Sequence, residues 1–144
     1  MTLVDANVLL YAYDRTSRFH AAARSWLEEQ LSGSALVGLP WSVLLAFLRI
    51  STNARALLRP LSTDQATAIV SSWIDVPSVV IPAPGPGHWD ILAGLLVASQ
   101  ARGPIVSDAH LAALTLEHGG VLATTDRDFT RFEGLRVMDP LRTS

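Results

Sequence analysis

Thr2-Leu3-Val4-Asp5-Ala6-Asn7-Val8-Leu9-Leu10-Tyr11 opens the chain and changes character at Asp5. The residues before it read as a short apolar strand, and Ala6–Tyr13 reads as a helix. A strand passing through an acid into a helix is the first unit of an alternating α/β layer fold. The transition recurs twice. Asp108 follows the strand-like run Pro104-Ile105-Val106-Ser107 and precedes a helix over Ala109–His118. Asp126 follows Val121-Leu122-Ala123-Thr124-Thr125, with Asp128 two residues on.

The intervening chain keeps the alternation. Ser17–Leu31 reads as an amphipathic helix, and Ala35–Gly38 as a second strand. Trp41–Ile50 is apolar nearly all round, which predicts a buried helix. Ser62-Thr63-Asp64 supplies caps for a helix running through Trp73. Val79–Ile81 is a third strand, and Gly87–Arg102 is a helix ended by Gly103-Pro104. Val121–Thr124 is a fourth strand, Phe129–Phe132 a helical turn and Leu135–Met138 an edge strand. The expectation is one α/β domain over residues 1–144, built on a central, mainly parallel sheet of four to five strands.

Composition narrows the function. The chain of 144 residues is 49% hydrophobic and 17% charged, with a net charge of −2 and no cysteine. Disulfides and thiolate metal sites are therefore excluded. Mean hydropathy is +0.31, yet Val43–Leu48 stops at Arg49 and Ile91–Ala98 is broken by Gly94. Neither approaches the roughly 20 apolar residues of a membrane span. Without a basic leader segment at its start, the chain reads as cytoplasmic, with the apolar excess covered by a second copy or a partner. All 11 basic residues are arginines, so the P-loop NTPase class, which needs a lysine, is out. Receiver domains and dehalogenase-type phosphatases also normally place a lysine beside the phosphoryl group, and this chain departs from them.

In an open parallel sheet, ligands bind beyond the carboxyl ends of the strands. Asp5, Asp108 and Asp126, delivered there by three strands, would make a pocket of like charges that raise one another's pKa. A divalent cation resolves that repulsion, and Mg²⁺ takes such oxygen ligands. Taken singly, each acid also has a local role. Asp5 can cap a helix, Asp108 can favour a helix dipole, and Asp126 and Asp128 can form a turn.

Four stretches, in order and correctly spaced, resemble PIN-domain ribonucleases, in particular the VapC toxins of bacterial toxin–antitoxin pairs. They are Val4-Asp5-Ala6-Asn7-Val8-Leu9-Leu10-Tyr11, Gly38–Trp41 with Leu45–Arg49, Ser107–Leu114, and Glu117–Gly120 followed by Val121–Phe129. The resemblance covers essentially the whole chain and implies a three-layer α/β/α PIN-like fold. It implies an Mg²⁺- or Mn²⁺-dependent endoribonuclease that cuts tRNA or rRNA by water attack, leaving 5′-phosphate and 3′-hydroxyl ends. A homodimer and a cognate VapB-type antitoxin come with it. Asp5, Asp108 and Asp126 match the family's metal-holding acids, with Asp128 as an auxiliary carboxylate.

The chain departs from the family at one position. A glutamate usual three residues before the arginine of the third helix is here Ala46, and no acid occurs between Glu29 and Asp64. Asp128 is the leading substitute and Asp90 a weaker one. A PIN domain that only binds RNA or protein is the alternative this leaves open. Among neighbouring residues, Asn7 either caps the first helix or orients Asp5. Thr124 matches a hydroxyl that binds a metal water or a phosphate. Arg127 either contacts RNA phosphate or is a solvated loop charge, and Arg49 reads as pairing with an acid or a partner. His88, His110 and His118 lack ligand spacing and read as surface or supporting residues. The four tryptophans read as core or interface aromatics.

Overall fold

A computed structural model describes residues 1–142. Five strands, β1 (Thr2–Val4), β2 (Val37–Gly38), β3 (Val79–Val80), β4 (Val121–Ala123) and β5 (Val137–Met138), form one sheet in the order β3-β2-β1-β4-β5. Every pairing is parallel. The chain first builds outward from β1 through β2 to β3, then returns to the other side of β1 for β4 and β5. The order therefore reverses between β1 and β4, and the crevice at their carboxyl ends is where such sheets bind ligands.

Among the described residues, six helices cover the sheet: α1 (Ala6–Tyr13), α2 (His20–Ser32), α3 (Trp41–Ser51), α4 (Thr63–Ile74), α5 (His88–Ser99) and α6 (Ile105–Glu117). α1 packs on α2 and α3, α3 on α4, and α5 on α6, which gives the two outer layers. The core lies between them: Leu3 and Val4 of β1, Leu9 of α1, Phe47 of α3 and Leu122 of β4 are fully buried. Trp73 closes it from α4, edge-on to Phe47 with ring centroids 4.7 Å apart. α4 starts at a capping box in which Ser62 and Gln65 satisfy each other's backbone amides.

Four expectations need correction. The run Pro104–Ser107 is not a strand; α6 begins at Ile105, and Asp108 sits in its first turn. Pro104 already has helical backbone angles (φ −59, ψ −25), and its ring presets φ for a helix start. The amides of Ile105, Val106 and Ser107 bond back to the carbonyls of Arg102, Gly103 and Pro104. Three β-branched or polar residues cannot hold a strand against a helix already nucleated at their own first residue.

α5 ends at Ser99 rather than running to Arg102, because Gln100 takes a left-handed conformation with φ 53. α3 is not buried all round. Val43, Leu44 and Phe47 face the core, while Trp41 is 54% and Leu45 59% exposed. Finally, two histidines that sequence separation kept apart are joined in space. His88 is buried, its Nε2 lies 3.0 Å from His110 Nδ1, and its Nδ1 lies 3.0 Å from Glu117 Oε2. His110 and Glu117 are two turns apart on α6 and so share a face. Glu117 also accepts the amide of Gly85, so the network pins the turn before α5 onto α6. Burial and His88 lower the His110 pKa.

Of the tryptophans, Trp73 is in the core and Trp26 packs against it, whereas Trp41 and Trp89 are exposed.

Candidate active site

β1 ends at Val4, so Asp5 stands at the mouth of the β1–β4 crevice. Its amide donates to the Ala123 carbonyl at 2.9 Å, which ties it to the end of β4. From the β4 side, Thr124 Oγ1 donates to Asp5 Oδ2 at 2.8 Å. The same hydroxyl oxygen accepts the Asp126 amide at 3.0 Å. One buried threonine thus fixes both the Asp5 carboxylate and the turn that carries Asp126.

Asp126 caps a short 3-10 helix, Arg127–Arg131, by accepting the Asp128 amide on Oδ1 at 2.8 Å. Its turn-forming role is real, and it leaves Asp126 Oδ2 with no hydrogen bond among the described residues. Asp128 is largely exposed and lies 3.7 Å from Arg131 Nη2. No hydrogen bond among the described residues joins Asn7 to Asp5.

Asp108 arrives from a different element type, the first turn of α6. There the helix dipole favours its ionised form, but stronger effects oppose it. Partial burial, then Asp126, Asp5 and Asp128 in turn, push its carboxyl from the ordinary 3.8 up to about 6, against a lowering by Arg131. Burial also raises the Asp5 pKa, with Asp126 adding to the rise; the Thr124 hydroxyl and the Ala6 amide pull the other way. Asp126, Asp5 and Asp128 thus all act on Asp108, although two of the four acids come from strand ends, one from a helix and one from a 3-10 turn.

This donor set fits a hard divalent cation. It offers carboxylate and hydroxyl oxygens, without sulfur, and a mutual repulsion that a cation would relieve. As they stand, no three or more Asp, Glu or His side chains among the described residues are placed close enough together to hold a metal ion. One or two direct carboxylates with water completing the shell is the way Mg²⁺ is usually held.

Two clefts flank the carboxylates. One, of about 280 Å³, runs between α3 and α6 and is lined by Asp5, Asp108, Ser42, Ala46, Arg49 and Ser107. The other, of about 370 Å³, includes Thr124, Thr125, Asp126, Arg127 and Thr130. Asp90 lines neither. Ser42, Ser107 and Arg49 were not singled out as site residues from sequence; the signal was the spacing Ser42–Ala46–Arg49, one stripe of a helix. Arg49 makes no ion pair with an acid among the described residues.

The PIN domain family model matches residues 2–135. The chain belongs to the PIN-domain family. Within it the chain groups with the VapC proteins. It is 44% identical over 140 residues to Ribonuclease VapC37 of Mycobacterium tuberculosis, covering 97% of each chain. It is 38% identical to Ribonuclease VapC33 of the same species over 142 residues, covering 99% of each. Solved PIN-domain structures share the fold. VapBC2 of Rickettsia felis, bound to promoter DNA, superposes with TM-score 0.69 at 13% identity, covering 95% of this chain and 96% of that one. M. tuberculosis VapC20, a sarcin–ricin loop cleaving toxin, gives TM-score 0.67 at 18% identity, covering 94% of this chain and 99% of that one. No helix of this PIN domain, among the described residues, is long and apolar enough to cross a membrane.

Proposed function

We propose that this PIN domain is a divalent-metal-dependent endoribonuclease and the toxin of a cytoplasmic VapBC-type pair. The observation that carries the reading is the carboxylate cluster at the β1–β4 crevice, where partial burial and then the charges of Asp126, Asp5 and Asp128 push Asp108 up to about 6. Identity of 36–44% to proteins named VapC ribonucleases, over nearly their full length, supports RNA as the substrate.

Asp5, Asp108 and Asp126 would hold Mg²⁺ or Mn²⁺, directly or through water. When bound, such an ion supplies charge neutralisation for the scissile phosphate and acidifies a water molecule. Thr124 keeps Asp5 in one orientation, so the cluster is preset before RNA arrives. Asp128, largely exposed and 3.7 Å from Arg131, would serve as an auxiliary carboxylate. The paired imidazoles of His88 and His110 line neither cleft, so a 2′-hydroxyl mechanism with histidine acid and base has no support in this crevice. Water attack, with 5′-phosphate and 3′-hydroxyl products, is the expected course.

Trp41 and Leu45 on α3, with Trp89 and Val97 on α5, are exposed apolar side chains that support a homodimer. The acidic crevice suits a basic side chain from a VapB-type antitoxin. The decisive assay is RNA cleavage with Mg²⁺ or Mn²⁺ by wild type, Asp5→Asn and Asp108→Asn. Activity confined to the wild type and abolished by EDTA supports the reading; equal activity in all three, or cleavage persisting in EDTA, defeats it.

Ala46 favours a second reading. With no acid on the α3 wall, a PIN domain that binds RNA without cutting it is the alternative. Binding without cleavage at any metal concentration would establish it.

A further inference from the structure

Resting on the RNA-cleavage reading, the geometry points to a path for the substrate. We propose that a single RNA strand crosses the carboxylates from one cleft to the other, with Arg49 and Arg127 gripping phosphates on opposite sides of the scissile bond. The two clefts meet at one hydrogen bond, since Asp5 lines the first, Thr124 lines the second, and the two are 2.8 Å apart. A chain laid from one cleft into the other would run past Asp5 and Asp108, which line the first, and Asp126, which lines the second.

The arginines around the site differ in what they already hold. Arg131 lies 3.7 Å from Asp128 and Arg142 3.8 Å from Asp139. Arg136 donates to the Gly119 carbonyl. Arg49 and Arg127 are exposed, each lines one cleft, and neither has an ion pair or a side-chain hydrogen bond among the described residues. A planar guanidinium with unused donors, held beside acids yet not paired to them, is suited to bidentate contact with a phosphate.

The missing acid fits the same picture. Ser42, Ala46 and Arg49 form one stripe of α3 facing Ser107 and Asp108 of α6 across the first cleft. A carboxylate at position 46 would stand one turn from Arg49 and either pair with it or repel the phosphate. The alanine methyl leaves that guanidinium unengaged, with the Ser42 and Ser107 hydroxyls as further neutral donors. The wall therefore serves the RNA backbone rather than a cation.

The test is fluorescence anisotropy of a labelled single-stranded RNA with Mg²⁺ present, using the Asp108→Asn protein to prevent turnover. Added to that protein, Arg49→Ala and Arg127→Ala should each weaken binding about tenfold, as loss of one charge-assisted contact does. Arg49→Lys should restore part of it. Each alanine should also lower the slope of log affinity against log salt by about 0.7, the value for one phosphate on a single strand. Arg18, at the other end of α1 with its guanidinium over the Phe19 ring, is the control, and Arg18→Ala should change neither quantity. If the parent binds RNA and Arg49→Ala binds equally well with the same slope, the path is wrong. A wild-type protein that neither binds nor cleaves RNA overturns the ribonuclease reading itself, and the parallel cleavage assay separates the two failures.

Discussion

Thr124 and Asp5 are 119 positions apart in sequence and joined by a 2.8 Å hydrogen bond across the ends of β4 and β1. The same oxygen accepts the Asp126 amide, so one hydroxyl couples two of the acids. Thr124→Val keeps the shape and removes both bonds. Supporting contacts to metal-holding residues are typically worth 10- to 100-fold in activity or metal affinity. The expected result is a cleavage rate down by about that factor, with Thr124→Ser close to wild type. A valine variant as active as wild type would show that Asp5 needs no such support.

Asp108 gives a stability prediction for the metal-free protein. Its carboxyl sits at about 6 in the fold, above the ordinary 3.8, so between those values the native state holds more protons than the unfolded chain. Stability is then highest below pH 3.8 as far as this group is concerned, and is lost as pH rises through about 6. Asp108→Asn removes that loss. In EDTA at neutral pH the variant should melt higher than wild type by a few degrees, roughly 3 °C. The gap should close below pH 4. A variant that melts lower at neutral pH would refute the upward shift that burial and the neighbouring acids give Asp108.

Ala46 allows the reverse experiment. Ala46→Glu places an acid on the α3 wall beside Asp5 and Asp108. The added carboxylate should tighten Mn²⁺ binding, by about tenfold on the scale of supporting-residue effects, and lower the melting temperature in EDTA. Calorimetric titration reads the first and a thermal melt the second. Unchanged affinity would mean that position 46 is out of reach of the ion.

Sequence reading placed most of the scaffold because the signals were local. The apolar run ending at Asp5, the Ser62-Thr63-Asp64 caps and the Gly119-Gly120 stop all act within a few residues. It failed where a neighbour decided the outcome. Ile105 and Val106 have strand-forming side chains, but a proline already in helical geometry took them into α6. The same reason hid the His88–His110 contact, which depends on how α5 packs against α6. Around the crevice, the acids were legible as residue types at segment ends. Arg49 was not legible as a cleft residue, since its surroundings come from two helices, with Ser107 of α6 58 positions further along the chain.

The exposed apolar face of α3 supplies the last prediction. Trp41 and Leu45 lie one turn apart, 54% and 59% exposed, on a helix whose other face is core. Burying a side chain of that size is worth about 1.5–3 kcal/mol, so two of them per copy would contribute several kcal/mol to a symmetric interface. Replacing both with glutamate should convert a dimer into a monomer by light scattering while leaving the far-ultraviolet circular dichroism intact. Neither residue contributes to the core, so the fold has no reason to fail. A double variant that remains dimeric would move the interface away from α3, and Trp89 and Val97 of α5 would then be the surface to change.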